Sequence, residues 1–189
     1  MFKKLKYAVD EKIIFLNQFA KNPKRVGSII PSSNFLIQTM IEPIVWDDMR
    51  TIVELGAGTG VITRYIEEMR HPDSQSYIFE IDNRMRQRLI DMYPDIQCHK
   101  NAVDLSAIMF DMNRTVDCIL SGLPFANFDQ QLRNQILDAV VDSLKPGGAF
   151  ITFQYSLQMK QQFEKRFSQV NIKFSPLNIP PAFVYFCYK

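Results

Sequence analysis

An apolar strand that runs straight into a glycine loop constrains this chain more than any other feature: residues 51–62 read TIVELGAGTGVI. Thr51, Ile52, Val53 and Leu55 suit a strand buried in a parallel sheet, while Gly56, Gly58 and Gly60 can take positive φ and let a ligand approach the backbone closely. Val61–Met69 then reads as a helix whose N-terminus points at that ligand. A strand, a loop and a helix joined in this way make a nucleotide-cofactor loop, the first unit of an open α/β sheet. The dinucleotide fingerprint Gly-x-Gly-x-x-Gly/Ala is not met, because its last position is Val61.

The spacing present, Glu54-x-Gly56-x-Gly58-x-Gly60, resembles motif I of class I methyltransferases that use S-adenosylmethionine. In that family the strand-end acid and the glycine backbone hold the methionine end of the cofactor, which gives Glu54, Gly56, Ala57, Gly58 and Gly60 that role here. A second apolar strand, residues 77–81, carries Glu80 near its end, 20 residues after Gly60. A carboxylate there can accept both ribose hydroxyls, with Ile81 beside it at the cofactor. Asp82 competes for that place, its other reading being the cap of a helix over Asn83–Met92.

At 189 residues and 47% hydrophobic, the chain can bury one α/β core. Cys98, Cys118 and Cys187 sit in apolar, strand-like runs at no metal-ligand spacing, so we expect reduced buried thiols, no metal and a cytoplasmic setting. Neither a signal peptide nor an apolar run of about 20 residues is evident.

Charge is unevenly distributed. Residues 1–25 hold seven Lys or Arg against two acids, and the remainder holds 15 against 18. Phe2, Leu5, Val9, Ile13, Leu16 and Ala20 share one helical face, with Lys3, Lys4, Lys6, Lys12 and Lys21 around it. Residues 1–22 thus read as an amphipathic helix ahead of a domain spanning 23–189. The helix suits an anionic membrane interface, a packed helix with solvated lysines, or attraction to RNA. Pro23, Gly27 and Pro31 make the next stretch a turn-rich connector, with Ser32 or Ser33 capping a second helix to about Ile41.

The β/α alternation continues with strands at 96–99 and 116–120, a helix at Gln130–Ser143 ended by KPGG, and a strand at 149–153. A helix at 158–167 and strands at 171–174 and 183–188 follow. This array matches a Rossmann-like class I methyltransferase, whose mostly parallel seven-stranded sheet has order 3-2-1-4-5-7-6 and helices on both faces; that order is what the resemblance implies.

In an open parallel sheet ligands collect beyond the carboxyl ends of the strands, so the segment leaving strand four should face the transferable methyl. It is Ser121-Gly122-Leu123-Pro124-Phe125. It resembles the Asn-Leu-Pro-Tyr motif of adenine N6 methyltransferases, including ribosomal RNA dimethylases, with Asn replaced by Gly122 and Tyr by Phe125. The lost carboxamide would have accepted the adenine amino hydrogen. Those dimethylases also append a small helical domain for which this sequence leaves no room.

RVGSIIPSS, VELGAGTGVIT, IFEID, CILSGLPFANF and NIPPAFVYFC together resemble the bacterial phospholipid N-methyltransferases that act on phosphatidylethanolamine. The resemblance spans nearly the whole chain and implies a peripheral enzyme whose N-terminal helix binds the membrane. It also implies that Asn101 and Ala102 contact the cofactor adenine, that Ser121 lies at both cofactor and acceptor, and that Ser121, Gly122, Leu123 and Phe125 shape the acceptor site. Phe125 and Phe128 can shield a methylated cation or simply pack in the core. Tyr7, His99 or water can take the amine proton. An RNA adenine methyltransferase and a non-catalytic cofactor-binding adaptor are the alternatives.

Overall fold

The computed structural model describes residues 29–178 and 180–189, with side chains described from residue 34 onward. The expected N-terminal helix over 1–22 and Tyr7 lie outside the described residues.

Seven strands form one sheet: β1 (Thr51–Leu55), β2 (Gln75–Phe79), β3 (Gln97–His99), β4 (Val116–Ser121), β5 (Leu144–Gln154), β6 (Gln169–Ser175) and β7 (Ala182–Tyr188). Their order is β3-β2-β1-β4-β5-β7-β6. β7 runs antiparallel to both its neighbours and the other pairings are parallel. This is the expected order. Six α-helices accompany the sheet among the described residues: α1 (Ile29–Ile41), α2 (Val61–Met69), α3 (Asn83–Met92), α4 (Leu105–Asp111), α5 (Gln130–Ser143) and α6 (Lys160–Glu164).

Strand alternation builds two cores from one sheet. Val53, Leu55, Ile119, Phe150 and Tyr185 point to the side covered by α4, α5 and α6. Ile52, Cys118, Leu120, Ile151, Val184 and Phe186 point to the side covered by α1 and α2. A smaller cluster of Ala57, Ile78, Leu89 and Ile96 seats α3. All three cysteines are free thiols, with Cys118 and Cys187 buried and Cys98 partly so.

Several boundaries differ from the sequence reading. α1 begins at Ile29, so Ser32 and Ser33 lie inside the helix instead of capping it. Pro31 is tolerated there because the first-turn amides of a helix have no intrahelical partner. β2 ends at Phe79, two residues early, which leaves Glu80 in the loop beyond the strand. KPGG does not separate α5 from a later strand: β5 starts at Leu144 and runs through it, with Leu144 opposite Val116 and a register irregularity before Ala149 reaches Cys118. The helix expected at 158–167 shrinks to a 3-10 turn, Leu157–Met159, followed by α6.

Candidate functional site

The strand order reverses between β1 and β4, so their crossovers turn in opposite directions and the carboxyl edge there is the switch point of the sheet. Leu55 pairs with Ser121, and Gly122 N donates to Leu55 O at 2.9 Å, so the glycine loop and the 121–125 segment leave the sheet side by side. Gly56 has φ +75°, and a Cβ on it would lie 2.7 Å from Leu123 Cδ2. Gly60 has φ +85°, and a Cβ there would meet Leu89 Cδ2 at 2.7 Å. The positive φ calls for glycine at both positions, while the atoms a Cβ would meet are the ends of leucine side chains. Gly58 also has positive φ, and no atom lies within 4 Å of the place its Cβ would occupy.

Glu54 is completely buried at the end of β1. Thr63 Oγ1, from the first turn of α2, donates to Glu54 Oε2 at 2.5 Å. Glu54 Oε1 is buried with no hydrogen-bond partner among the described residues. Burial pushes the Glu54 carboxyl up to about 8; the Thr63 bond opposes this and the neighbouring Glu80 charge adds to it. A buried carboxyl with one oxygen unanswered, beside a glycine cradle, suits a ligand that brings positive charge or N–H donors.

Glu80 is buried behind the loop, where Gly58 N donates to its Oε2 at 2.7 Å and Asp82 N to its Oε1 at 2.8 Å. Its carboxylate therefore braces the glycine turn. Asp82 takes the capping role, accepting from Arg84 N and Met85 N at the start of α3. Arg86 Nη1 donates to Glu80 O at 2.7 Å and ties the loop around Ile81 to the helix. Ala57 points inward onto the α3 cluster. Asn101 precedes a 3-10 turn beginning at Ala102, and its amide donates to Asp104 Oδ2 at 3.1 Å. His99 stacks on Phe79 with centroids 5.1 Å apart; burial lowers its pKa, and its Nε2 is buried without a partner among the described residues.

The 121–125 segment is held from β5. Thr152 Oγ1 donates to Ser121 O at 3.1 Å, and Leu123 N donates to Ser121 Oγ at 3.2 Å. Gln154 Nε2 donates to Leu123 O at 3.0 Å, while Ala126 N donates to Gln154 Oε1 at 3.3 Å. Phe125 is fully buried among Phe128, Phe150 and Phe163. Its ring has no open face for a cation, so of its two sequence readings the core reading describes its placement; it anchors the segment from beneath.

Thr63, Thr152 and Gln154 were not singled out by sequence. Gln154 carried a usable signal, a polar residue ending an apolar strand as Glu54 does. Thr63 carried none that distinguishes it from any helical threonine.

The sequence profile of the methyltransferase domain family matches residues 52–148, which include β1 through the start of β5. The chain belongs to that family. This methyltransferase is 33% identical over 180 residues to the ornithine lipid N-methyltransferase of Singulisphaera acidiphila, covering 92% of this chain and 94% of that protein. Its fold is similar to that of 1,6-didemethyltoxoflavin-N1-methyltransferase from Burkholderia thailandensis, solved with S-adenosylhomocysteine, at TM-score 0.69 and 12% identity over 97% of this chain and 89% of that one. The N-methyltransferase NodS from Bradyrhizobium japonicum, also solved with S-adenosylhomocysteine, superposes at TM-score 0.64 and 11% identity over 89% and 92% of the two chains. Family and fold make this an S-adenosylmethionine-dependent methyltransferase. The unanswered Glu54 oxygen and the open space beside Gly58 fit that cofactor.

Proposed function

We propose that this methyltransferase acts on the amine of a membrane-lipid head group, phosphatidylethanolamine or an ornithine lipid, working peripherally at the membrane surface. The observation that carries the reading is the 33% identity to an ornithine lipid N-methyltransferase over nearly the full length of both chains. No helix among the described residues is long and apolar enough to cross a membrane, which leaves a peripheral arrangement open to it. Gly122 argues against adenine as acceptor. A Cβ there would lie 3.0 Å from the backbone oxygen of Gly56, so an asparagine would need the neighbouring glycine loop to give by a few tenths of an ångström.

In this reading Glu54, Gly56, Gly58 and Gly60 hold the methionine end of the cofactor, and Glu80 and Ile81 the ribose. Asn101 and Ala102 border the adenine. The bound cofactor supplies an electrophilic methyl on a sulfonium. Ser121, Gly122 and Leu123 orient the acceptor. Ser121 O and Leu123 O are already engaged by Thr152 and Gln154, which leaves Gly122 O to accept from the incoming amine. An ammonium with a pKa of about 10 must first lose a proton, at a cost of about 4 kcal/mol at neutral pH. The segment therefore contributes placement, holding a neutral nitrogen in line with the bond to be broken.

The test is transfer of labelled methyl to vesicles containing phosphatidylethanolamine or ornithine lipid, with unmethylated ribosomal RNA in parallel. We expect label in a lipid amine and none in RNA. Label only in RNA, or in neither lipid while cofactor still binds, would reject the proposal.

A further inference from the structure

The carboxyl edge of the sheet carries an apolar rim that the catalytic fold does not need. Tyr155 and Leu157 follow β5 and are each 46% exposed; Phe174, at the end of β6, is 53% exposed and Leu177, in the β6–β7 turn, 63%. The register brings these segments together, because Gln154 pairs with Phe183 and Phe183 with Phe174. Tyr155 packs edge-on against Phe153, Phe174 packs against Phe183, and Asn178 Nδ2 donates to Pro180 O at 2.7 Å. The rim is therefore a built surface, not a loose loop.

It also adjoins the acceptor segment directly. Gln154, which holds Leu123 and Ala126, is the residue before Tyr155. We propose that this rim is where the domain enters the lipid surface that presents its acceptor, an inference that rests on the lipid-amine reading above.

Three features favour lipid over another occupant. First, the rim is apolar on both sides of the sheet edge: Tyr155 packs on Phe153, which lies on the α1 side, and Phe174 on Phe183, which lies on the α6 side. A tip apolar on two faces suits end-on insertion, whereas a flat protein partner would cover one. Second, Pro176, Pro180 and Pro181 remove three N–H donors from the turn, which lowers the cost of taking its backbone out of water. Third, the cations beside the rim, Lys160 and Lys173, are positioned to meet an anionic surface. Lys160 and Lys173 lie near the rim in solvent-exposed ion pairs with Glu164 and Glu42, which are weak enough to yield to lipid phosphates. Tyrosine at such a boundary keeps its ring in the apolar layer and its hydroxyl in the polar one.

The experiment uses the full chain and vesicles of mixed phosphatidylcholine and phosphatidylglycerol. Replacing Leu157, Phe174 and Leu177 together by Ser should weaken vesicle binding on the order of tenfold. S-adenosylhomocysteine affinity and methyl transfer to a short-chain, monomeric acceptor should stay within about twofold, since the exposed side chains support neither. Independently, the indole introduced by Leu177→Trp in a Trp46→Phe background should be quenched by brominated acyl chains. Trp46 in the native chain, buried in the α1 and α2 core, should not.

Unchanged vesicle binding of the serine variant, together with no quenching in the Leu177→Trp variant, would overturn the proposal. So would a serine variant that dissociates a self-associated species in sedimentation velocity without altering vesicle binding, because the rim would then join two copies. If no lipid amine is methylated but binding falls and quenching is seen, the substrate reading fails while the docking surface stands.

Discussion

Glu54 concentrates the electrostatics beside the glycine loop in one titrating group. Its folded pKa of about 8 lies above the ordinary 4.5, so the stability associated with its protonated form is fully present below the ordinary value and is lost as pH rises through about 8. Unliganded protein should therefore lose thermal stability between roughly pH 5 and pH 8.5, and Glu54→Gln should flatten that slope. A cationic ligand at the carboxylate favours the ionised form. Cofactor binding at neutral pH should accordingly release a proton, and affinity should strengthen by up to about tenfold per pH unit towards pH 8. Calorimetry in buffers of different ionisation enthalpy reads the proton count directly; proton-neutral binding would remove Glu54 from the cradle. The sequence showed this acid and its strand, but not its partner, because nothing local marks Thr63 as the residue whose hydroxyl turns back onto β1. Phe125 illustrates the same gap in reverse. Its place in SGLPF suggested the acceptor site, and only packing shows that its ring points down among Phe150 and Phe163.

The strands are pinned at the other end of the sheet by Asp117 on β4. Its Oδ2 accepts from Arg50 N at 2.8 Å and Thr51 N at 2.7 Å, and its carboxylate pairs with Lys145 on β5. One side chain thus joins β1, β4 and β5. Burial opposes its ionisation, but the Lys145 ammonium and the two amides prevail and hold the carboxyl below its ordinary value. Asp117→Ala should cost about 2–4 kcal/mol in urea unfolding, because two backbone amides lose their acceptor. With the folded pKa depressed, the contribution is present above the ordinary value of 3.8 and is lost as pH falls further. Elements with strong local signals were legible from sequence: α2, α3 and α5 have the bounds read from the sequence, and Asp82 and Asp129 cap the last two. The start of β5 was not. Pro146, Gly147 and Gly148 look like a terminator, yet tertiary pairing carries the strand through them, with Gly147 at φ +74° and Gly147 N donating to Lys189 O at 3.1 Å.

Across the described residues, the glycine loop, the 121–125 segment and the apolar rim occupy one edge of the sheet, and Asp117 secures the opposite edge. A protein that meets its acceptor at such an edge should show interfacial kinetics. Diluting the acceptor lipid with an inert one at fixed total lipid should lower the rate with mole fraction, while adding vesicles of fixed composition should only bring the rate to a plateau. A rate that follows bulk acceptor concentration alone would place catalysis off the surface. The sheet order has a separate consequence during synthesis. β7 comes last in sequence among the strands but lies inside the sheet, between β5 and β6. As the chain leaves the ribosome, β6 emerges before β7, its neighbour among the described strands, exists and presents an unpaired ladder until β7 follows. That interval, not the finished protein, is when this molecule is most open to joining the wrong strand.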